Sequence, residues 1–299
     1  MLFFTLLFLA QVLVSALAAP VVTERAGGGV TAALASAVSS FTPYIQFARA
    51  AYCTNGASVW NCGAACKAIS DFQIYAGGGD GAATPSWFVG WSPSLNSIVV
   101  AHEGTDPTNF LSLVNDIDWV PNKMDQAYFK GISSAIQVHG GFQDTFKRSA
   151  SSILAAVKKV MAAKSSSKVT LVGHSLGGAL ALLDTIYLKI QIPSITTKTV
   201  TLGGPRAGNP AFAAYLNSFD LTRITHRQDP IPIVPGRLMG FAHPQGMRLD
   251  ASGNSWYNCP GSDNTDGRCS TGAVANIFVG DIFDHLGSYN NLFVGSIHC

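Results

Sequence analysis

Five consecutive residues, Gly173-His174-Ser175-Leu176-Gly177, have the types and spacing of a G-x-S-x-G turn. A run rich in β-branched residues, 169–172, precedes them, and 177–188 reads as a helix. Five residues alone recur by chance; a strand before and a helix after make them a nucleophile elbow. The glycines let the backbone turn sharply and leave room around Ser175. The turn lifts the Ser175 hydroxyl out of a sheet and places it at a helix N-terminus. There, backbone N–H groups and the helix dipole favour a developing negative charge. The chemistry such a serine can do is attack on an ester carbonyl through a covalent acyl-enzyme.

A serine hydroxyl is a poor nucleophile without a base, and the base needs a third group to orient it. On an α/β-hydrolase scaffold the chain order is serine, then acid, then histidine. Four histidines follow Ser175: His226, His243, His285 and His298. His226 falls at a strand end and reads as structural, and His298 abuts the terminal Cys299. His243 comes before the cysteine-bounded segment 259–269. His285 comes late, on a loop, and is favoured over His243. The acid should sit just past a strand carboxyl end. Asp229, after the strand expected at 221–226, meets that requirement. Asp184 lies on the elbow helix and should point away, Asp284 adjoins His285, and Asp250, Asp263 and Asp266 read as solvated loop residues. Two N–H donors complete the site, one at Leu176 and one at Thr105, where Gly104 lets the chain approach closely.

These residues need a scaffold. Strands are expected at 72–76, 87–91, 97–102 and 197–202, and helices within 26–50, at about 145–165 and shortly after Pro210. The glycine run Gly77-Gly78-Gly79-Asp80-Gly81 reads as a loop, because no helix opens after it to cradle a phosphate. Alternation of strands and helices predicts an α/β fold, a mostly parallel central sheet with helices on both faces. Residues 107–120 carry Phe110, Leu111, Leu113, Val114, Ile117, Trp119 and Val120 among polar positions, an amphipathic pattern.

The chain has 299 residues, six cysteines and a net charge of only +2, with 12% charged residues. With no basic stripe, nucleic acid is a poor partner. The apolar N-terminal run ends near Ala16-Leu17-Ala18 and reads as a signal peptide over 1–18, with a short propeptide over 19–25 ending at Arg25. An uncleaved anchor is the alternative. An even cysteine count in a secreted chain implies disulfides. Cys62 and Cys66 are neighbours, as are Cys259 and Cys269, which leaves Cys53 for Cys299. No spacing fits a zinc site, and no metal or cofactor is expected.

Taken in order, several blocks resemble the secreted class 3 lipases of filamentous fungi and their feruloyl esterase relatives. The similarity runs over about residues 45–299 and rests on the elbow 172–179, the block Gly203-Gly204-Pro205-Arg206-Ala207-Gly208-Asn209-Pro210, the segment 224–235, Gly240-Phe241-Ala242-His243-Pro244 and Asp284-His285-Leu286. The resemblance implies Ser175, Asp229 and His285 as triad and Thr105 and Leu176 as oxyanion donors. It also implies a Cys53–Cys299 disulfide and a lid within 107–120 whose apolar face is Phe110, Leu111, Leu113 and Val114. It places His243 at a non-catalytic position. Glu103 departs from the family, which often carries arginine before the glycine, so the lid hinge is held differently here.

The sequence therefore reads as a secreted, monomeric, metal-independent serine ester hydrolase, one catalytic domain over 26–299. A lipase working on lipid at an oil–water surface is favoured. A feruloyl or acetyl esterase of plant cell walls is the alternative, and a non-catalytic lipid-binding protein on the same fold is a third reading.

Overall fold

The computed structural model describes residues 29–105, 120–249 and 255–299. Six strands form the central sheet in chain order: β1 (Gln73–Gly78), β2 (Trp87–Ser92), β3 (Ser97–His102), β4 (Lys168–His174), β5 (Thr196–Leu202) and β6 (Asp220–Ile224). β1, β2 and β3 pair antiparallel, whereas β3–β4, β4–β5 and β5–β6 are parallel. The sheet is thus mixed, parallel at three of its five junctions. The connections 79–86 and 93–96 are too short for a crossover, so the first strands can only form hairpins.

Three helices sandwich the sheet: α1 (Thr42–Cys53), α2 (Gly140–Lys164) and α3 (Leu176–Gln191). In β3, Val99 and Ala101 face Ile45, Ala48 and Tyr52 of α1. Alternate residues Ile98 and Val100 face Phe146, Ile153 and Val157 of α2 and Leu180 and Leu183 of α3. That is the period of two that a pleated strand dictates. From Val169 to His174, β4 is buried throughout, as a parallel strand covered on both faces must be.

Several boundaries differ from expectation. α2 starts at Gly140, because His139 caps it: its Nδ1 accepts the Phe142 N–H at 3.2 Å. The N-terminal helical region is two helices, Ala35–Ser40 and Thr42–Cys53, with Pro43 in the first turn of the second. Gly77 and Gly78 belong to β1, paired with Phe88 and Trp87, so the glycine run is only partly a loop. β6 ends at Ile224 rather than at His226. The signal and propeptide segments, Phe110, Leu111, Leu113 and Val114 lie outside the described residues. Among the described residues, no helix is long and apolar enough to cross a membrane.

Disulfides join Cys53 to Cys299, Cys62 to Cys66 and Cys259 to Cys269. The first closes 246 residues of chain and so restricts the unfolded ensemble most. Replacing Cys53 and Cys299 by serine should lower stability by about 2–5 kcal/mol. Urea unfolding of the variant checks this; an unchanged midpoint would contradict it.

Candidate active site

The site is built where β4 turns into α3. Ser175 occupies the N-cap of α3 with φ 57° and ψ −129°, a backbone region costly to a residue with a Cβ. Its N–H donates to the Leu202 carbonyl at 2.9 Å, tying the turn to the end of β5. The Ser175 side chain is buried, and its Oγ has no hydrogen-bond partner among the described residues. The Leu176 N–H begins the helix beside it.

The loop after β3 closes on this turn by backbone contact. A methyl group on Gly104 would lie 2.6 Å from Ser175 Cβ and 2.5 Å from the Tyr52 hydroxyl. One on Gly177 would lie 2.4 Å from the Glu103 carbonyl oxygen and 2.6 Å from that of His102. Gly104, the residue before Thr105, therefore passes directly alongside Ser175. Glu103 does not point toward solvent. It is buried, and its Oε1 accepts the Ser86 N–H at 2.8 Å while its own N–H donates to the Ser86 carbonyl. Burial pushes its carboxyl above the ordinary range.

Asp229 and His285 come together from opposite ends of the last third of the chain. The His285 Nδ1–H donates to Asp229 Oδ2 at 2.9 Å, and Asp229 Oδ1 accepts the Ile231 N–H at 2.9 Å. Donation from Nδ1 leaves the lone pair of the neutral ring on Nε2, as a base requires. Both side chains are buried. Burial disfavours the imidazolium and holds His285 well below its ordinary 6.5; burial likewise pushes the Asp229 carboxyl up. The pair stands beside the end of β5: at Gly203, φ 56°, a methyl group would lie 2.9 Å from Asp229 Oδ2 and 3.0 Å from His285 Cε1. Ser175 and the Asp229–His285 pair are thus gathered around the same strand end.

Histidines that the sequence left without a catalytic part hold this arrangement. His174 donates from Nε2 to the His285 carbonyl at 2.8 Å, so its Nδ1 accepts from the Tyr52 hydroxyl at 2.6 Å. Burial lowers its pKa to about 3, keeping it neutral. The His226 Nδ1 donates to the Asp284 carbonyl at 2.8 Å, and Asp284 Oδ2 accepts the Gln228 N–H at 3.1 Å. The loop bearing His285 is therefore held on both sides. His243 stands apart: it is buried, donates from Nε2 to the Pro232 carbonyl at 2.6 Å, and its N–H donates to Asp263 Oδ2.

Asp263 corrects the sequence reading. It is not solvated but buried, bonded to the fully buried Arg206 at 2.7–2.8 Å. A guanidinium sealed in apolar surroundings needs a carboxylate. Arg206 also donates to the Ile233 and Pro235 carbonyls, so this cluster fixes the segment that follows Asp229. Asp184, expected to point away from the site, does so, but into a 2.6 Å contact with His102. Neither buried pair is visible in local spacing. The arginine of the 203–210 block was the one signal that could have flagged the first.

A strained serine between a parallel strand and a helix, with an acid and a histidine delivered by later loops, defines an α/β-hydrolase. A sequence profile for lipase (class 3) matches residues 99–239. The chain is 32% identical to a lipase of Rhizopus niveus over 277 residues, 90% of this chain and 68% of that one. It is 30% identical to a secreted mono- and diacylglycerol lipase of Malassezia globosa, over 86% and 83% of the two chains. The solved structure of lipase II from Rhizopus niveus superposes with a TM-score of 0.77 at 28% identity, over 90% of this chain and 99% of that one. A triacylglycerol lipase whose catalytic centre is described as a serine protease triad superposes at 0.76 with 26% identity, over 90% and 99%. The chain belongs to the class 3 lipase family and is a carboxylic-ester hydrolase of that family.

Gly203→Ala should leave the protein folded but push the Asp229–His285 pair out of place. Misplacement by about 1 Å can cost about 100-fold in rate. Hydrolysis of a soluble short-chain ester measures it, and wild-type turnover would show that the crowding at Gly203 is relieved harmlessly.

Proposed function

We propose that the protein is a secreted acylglycerol lipase in which Ser175 attacks the ester carbonyl. His285 takes the hydroxyl proton on Nε2, and Asp229 fixes the ring and stabilises the imidazolium. The N–H groups of Thr105 and Leu176 receive the oxyanion of the tetrahedral intermediate. His285 then gives the proton to the departing alcohol. Water, deprotonated by the same histidine, attacks the acyl-enzyme and releases the fatty acid. The reading rests above all on the buried Asp229–His285 hydrogen bond at the strand end that also holds the Ser175 turn.

Residues 26–299 act as one catalytic domain after a signal peptide at 1–18 and a propeptide at 19–25. Residues 107–120 act as a lid, with Phe110, Leu111, Leu113 and Val114 as its apolar face. The protein works as a monomer and without a cofactor. Disulfides suit an extracellular protein. A glyceride substrate is supported by the activities of the relatives and by exposed apolar side chains on the segments that follow Asp229 and precede His285. Leu238, shortly after the Asp229 segment, is fully exposed, and Phe278 and Phe283, on the approach to His285, are 90% and 75% exposed. Such side chains suit contact with lipid better than with cell-wall polysaccharide.

Ser175→Ala should fold normally and lose roughly 10⁶-fold in kcat; activity persisting in the folded variant would sink the assignment. Wild-type enzyme should hydrolyse a triglyceride emulsion far faster than methyl ferulate, and turnover of ferulate alone would establish the cell-wall esterase instead. Because burial depresses the His285 pKa, the base stays neutral below pH 6.5. The acid limb of kcat/KM on a soluble ester should accordingly lie below pH 6.5; a limb at or above that value would contradict the role of His285.

A further inference from the structure

We propose that His102 and Asp184 form a buried strut that sets the separation of the two oxyanion donors, which makes both of them positioning residues for the reaction. The proposal rests on the catalytic reading above, in which Thr105 and Leu176 supply those donors. His102 ends β3, on the face where Ile98 and Val100 pack into the hydrophobic layer beneath α2 and α3. The strand's own alternation calls for an apolar side chain there. Asp184 stands in the middle of α3, two turns past the elbow. The His102 Nε2 and Asp184 Oδ2 lie 2.6 Å apart, with the two side chains 1% and 0% exposed.

Stability does not call for such a pair. Well-packed apolar residues of similar volume are often as stable or more so, because they carry no desolvation penalty. What the pair adds is direction. Apolar contacts between a strand and a helix tolerate small slides, whereas a short hydrogen bond between a ring and a carboxylate does not. His102 Nδ1 and Asp184 Oδ1 have no partner among the described residues, so this single bond holds both groups.

The strand end it holds is the one that matters. Gly177 rides directly on the His102 and Glu103 carbonyls, and Gly104 on Ser175, with no side chain between to absorb a displacement. Any slide of β3 along α3 therefore passes straight into the spacing of the Thr105 and Leu176 N–H groups. On the other side of the same loop, Glu103 is bonded through backbone and carboxylate to Ser86. The oxyanion loop is thus braced from both flanks, by His102 toward the nucleophile helix and by Glu103 toward β2.

The test compares Asp184→Asn, Asp184→Leu and the double variant His102→Phe/Asp184→Leu on p-nitrophenyl butyrate, with melting midpoints and rates of inactivation by a serine-directed phosphonate. Asp184→Asn keeps the acceptor and should retain kcat within about threefold. The double variant should melt near the wild type with KM within about twofold. Its kcat and its rate of phosphonate inactivation should fall at least about tenfold, part of the 10²–10³ that one oxyanion donor is worth. If Asp184→Leu alone fails to fold, the double variant carries the test. A double variant with wild-type midpoint and wild-type kcat makes the pair mere core filling and overturns the proposal. One that does not fold assigns the pair to stability and overturns it equally. Ser175→Ala runs alongside: activity there overturns the catalytic reading and the strut with it, whereas wild-type turnover in the double variant overturns the strut alone.

Discussion

Everything at the site depends on one turn that the backbone resists. Ser175 sits at positive φ without being glycine, a state costing about 1–3 kcal/mol, and it persists only because its surroundings leave no alternative. β4 is buried on both faces before it, α3 is buried along most of its length after it, and the Leu202 carbonyl takes its N–H. The absence of a side chain at Gly177 then lets the β3 loop come within van der Waals range of the elbow. Core packing well away from the serine therefore supplies the free energy that holds the hydroxyl where a substrate can meet it.

The second demand is to bring a histidine 110 residues further along the chain to that turn with its ring correctly oriented. The fold does this through carbonyl groups rather than through packing. His174 takes hold of the His285 carbonyl, His226 that of Asp284, and Arg206 those of Ile233 and Pro235. In each case a buried side-chain donor meets a loop carbonyl that would otherwise be lost to water. Irregular backbone can enter a dry interior only on such terms.

Much of this was legible in the sequence. β3, β4, β5, α3 and the elbow announce themselves through period and punctuation, which are local. Asp229 and His285 could be singled out because chain order on this scaffold filters a short roster of candidates, and the two do share a hydrogen bond. The unreadable part consists of pairs distant in sequence. His102 with Asp184 and Arg206 with Asp263 lie 82 and 57 residues apart. A carboxylate on a loop looks solvated until its partner is known, and Asp263, bonded to the buried Arg206, is such a case. The start of α2 departs from expectation for a different reason: Gly140 and Gly141 are poor helix formers, and the cap from His139 together with burial of Phe142 and Phe146 outweighs them.

The bond between Cys53 and Cys299 has a topological side as well. It makes everything from the end of α1 to Cys299 a covalent ring. A single cut anywhere within 54–298, including the stretch between Thr105 and Val120, opens that ring without releasing a piece. A protease that nicks the ring once leaves a particle heavier only by the water of hydrolysis, whose two new ends remain tethered through the same sulfur atoms. Shedding of a fragment takes either a second cut or a reductant.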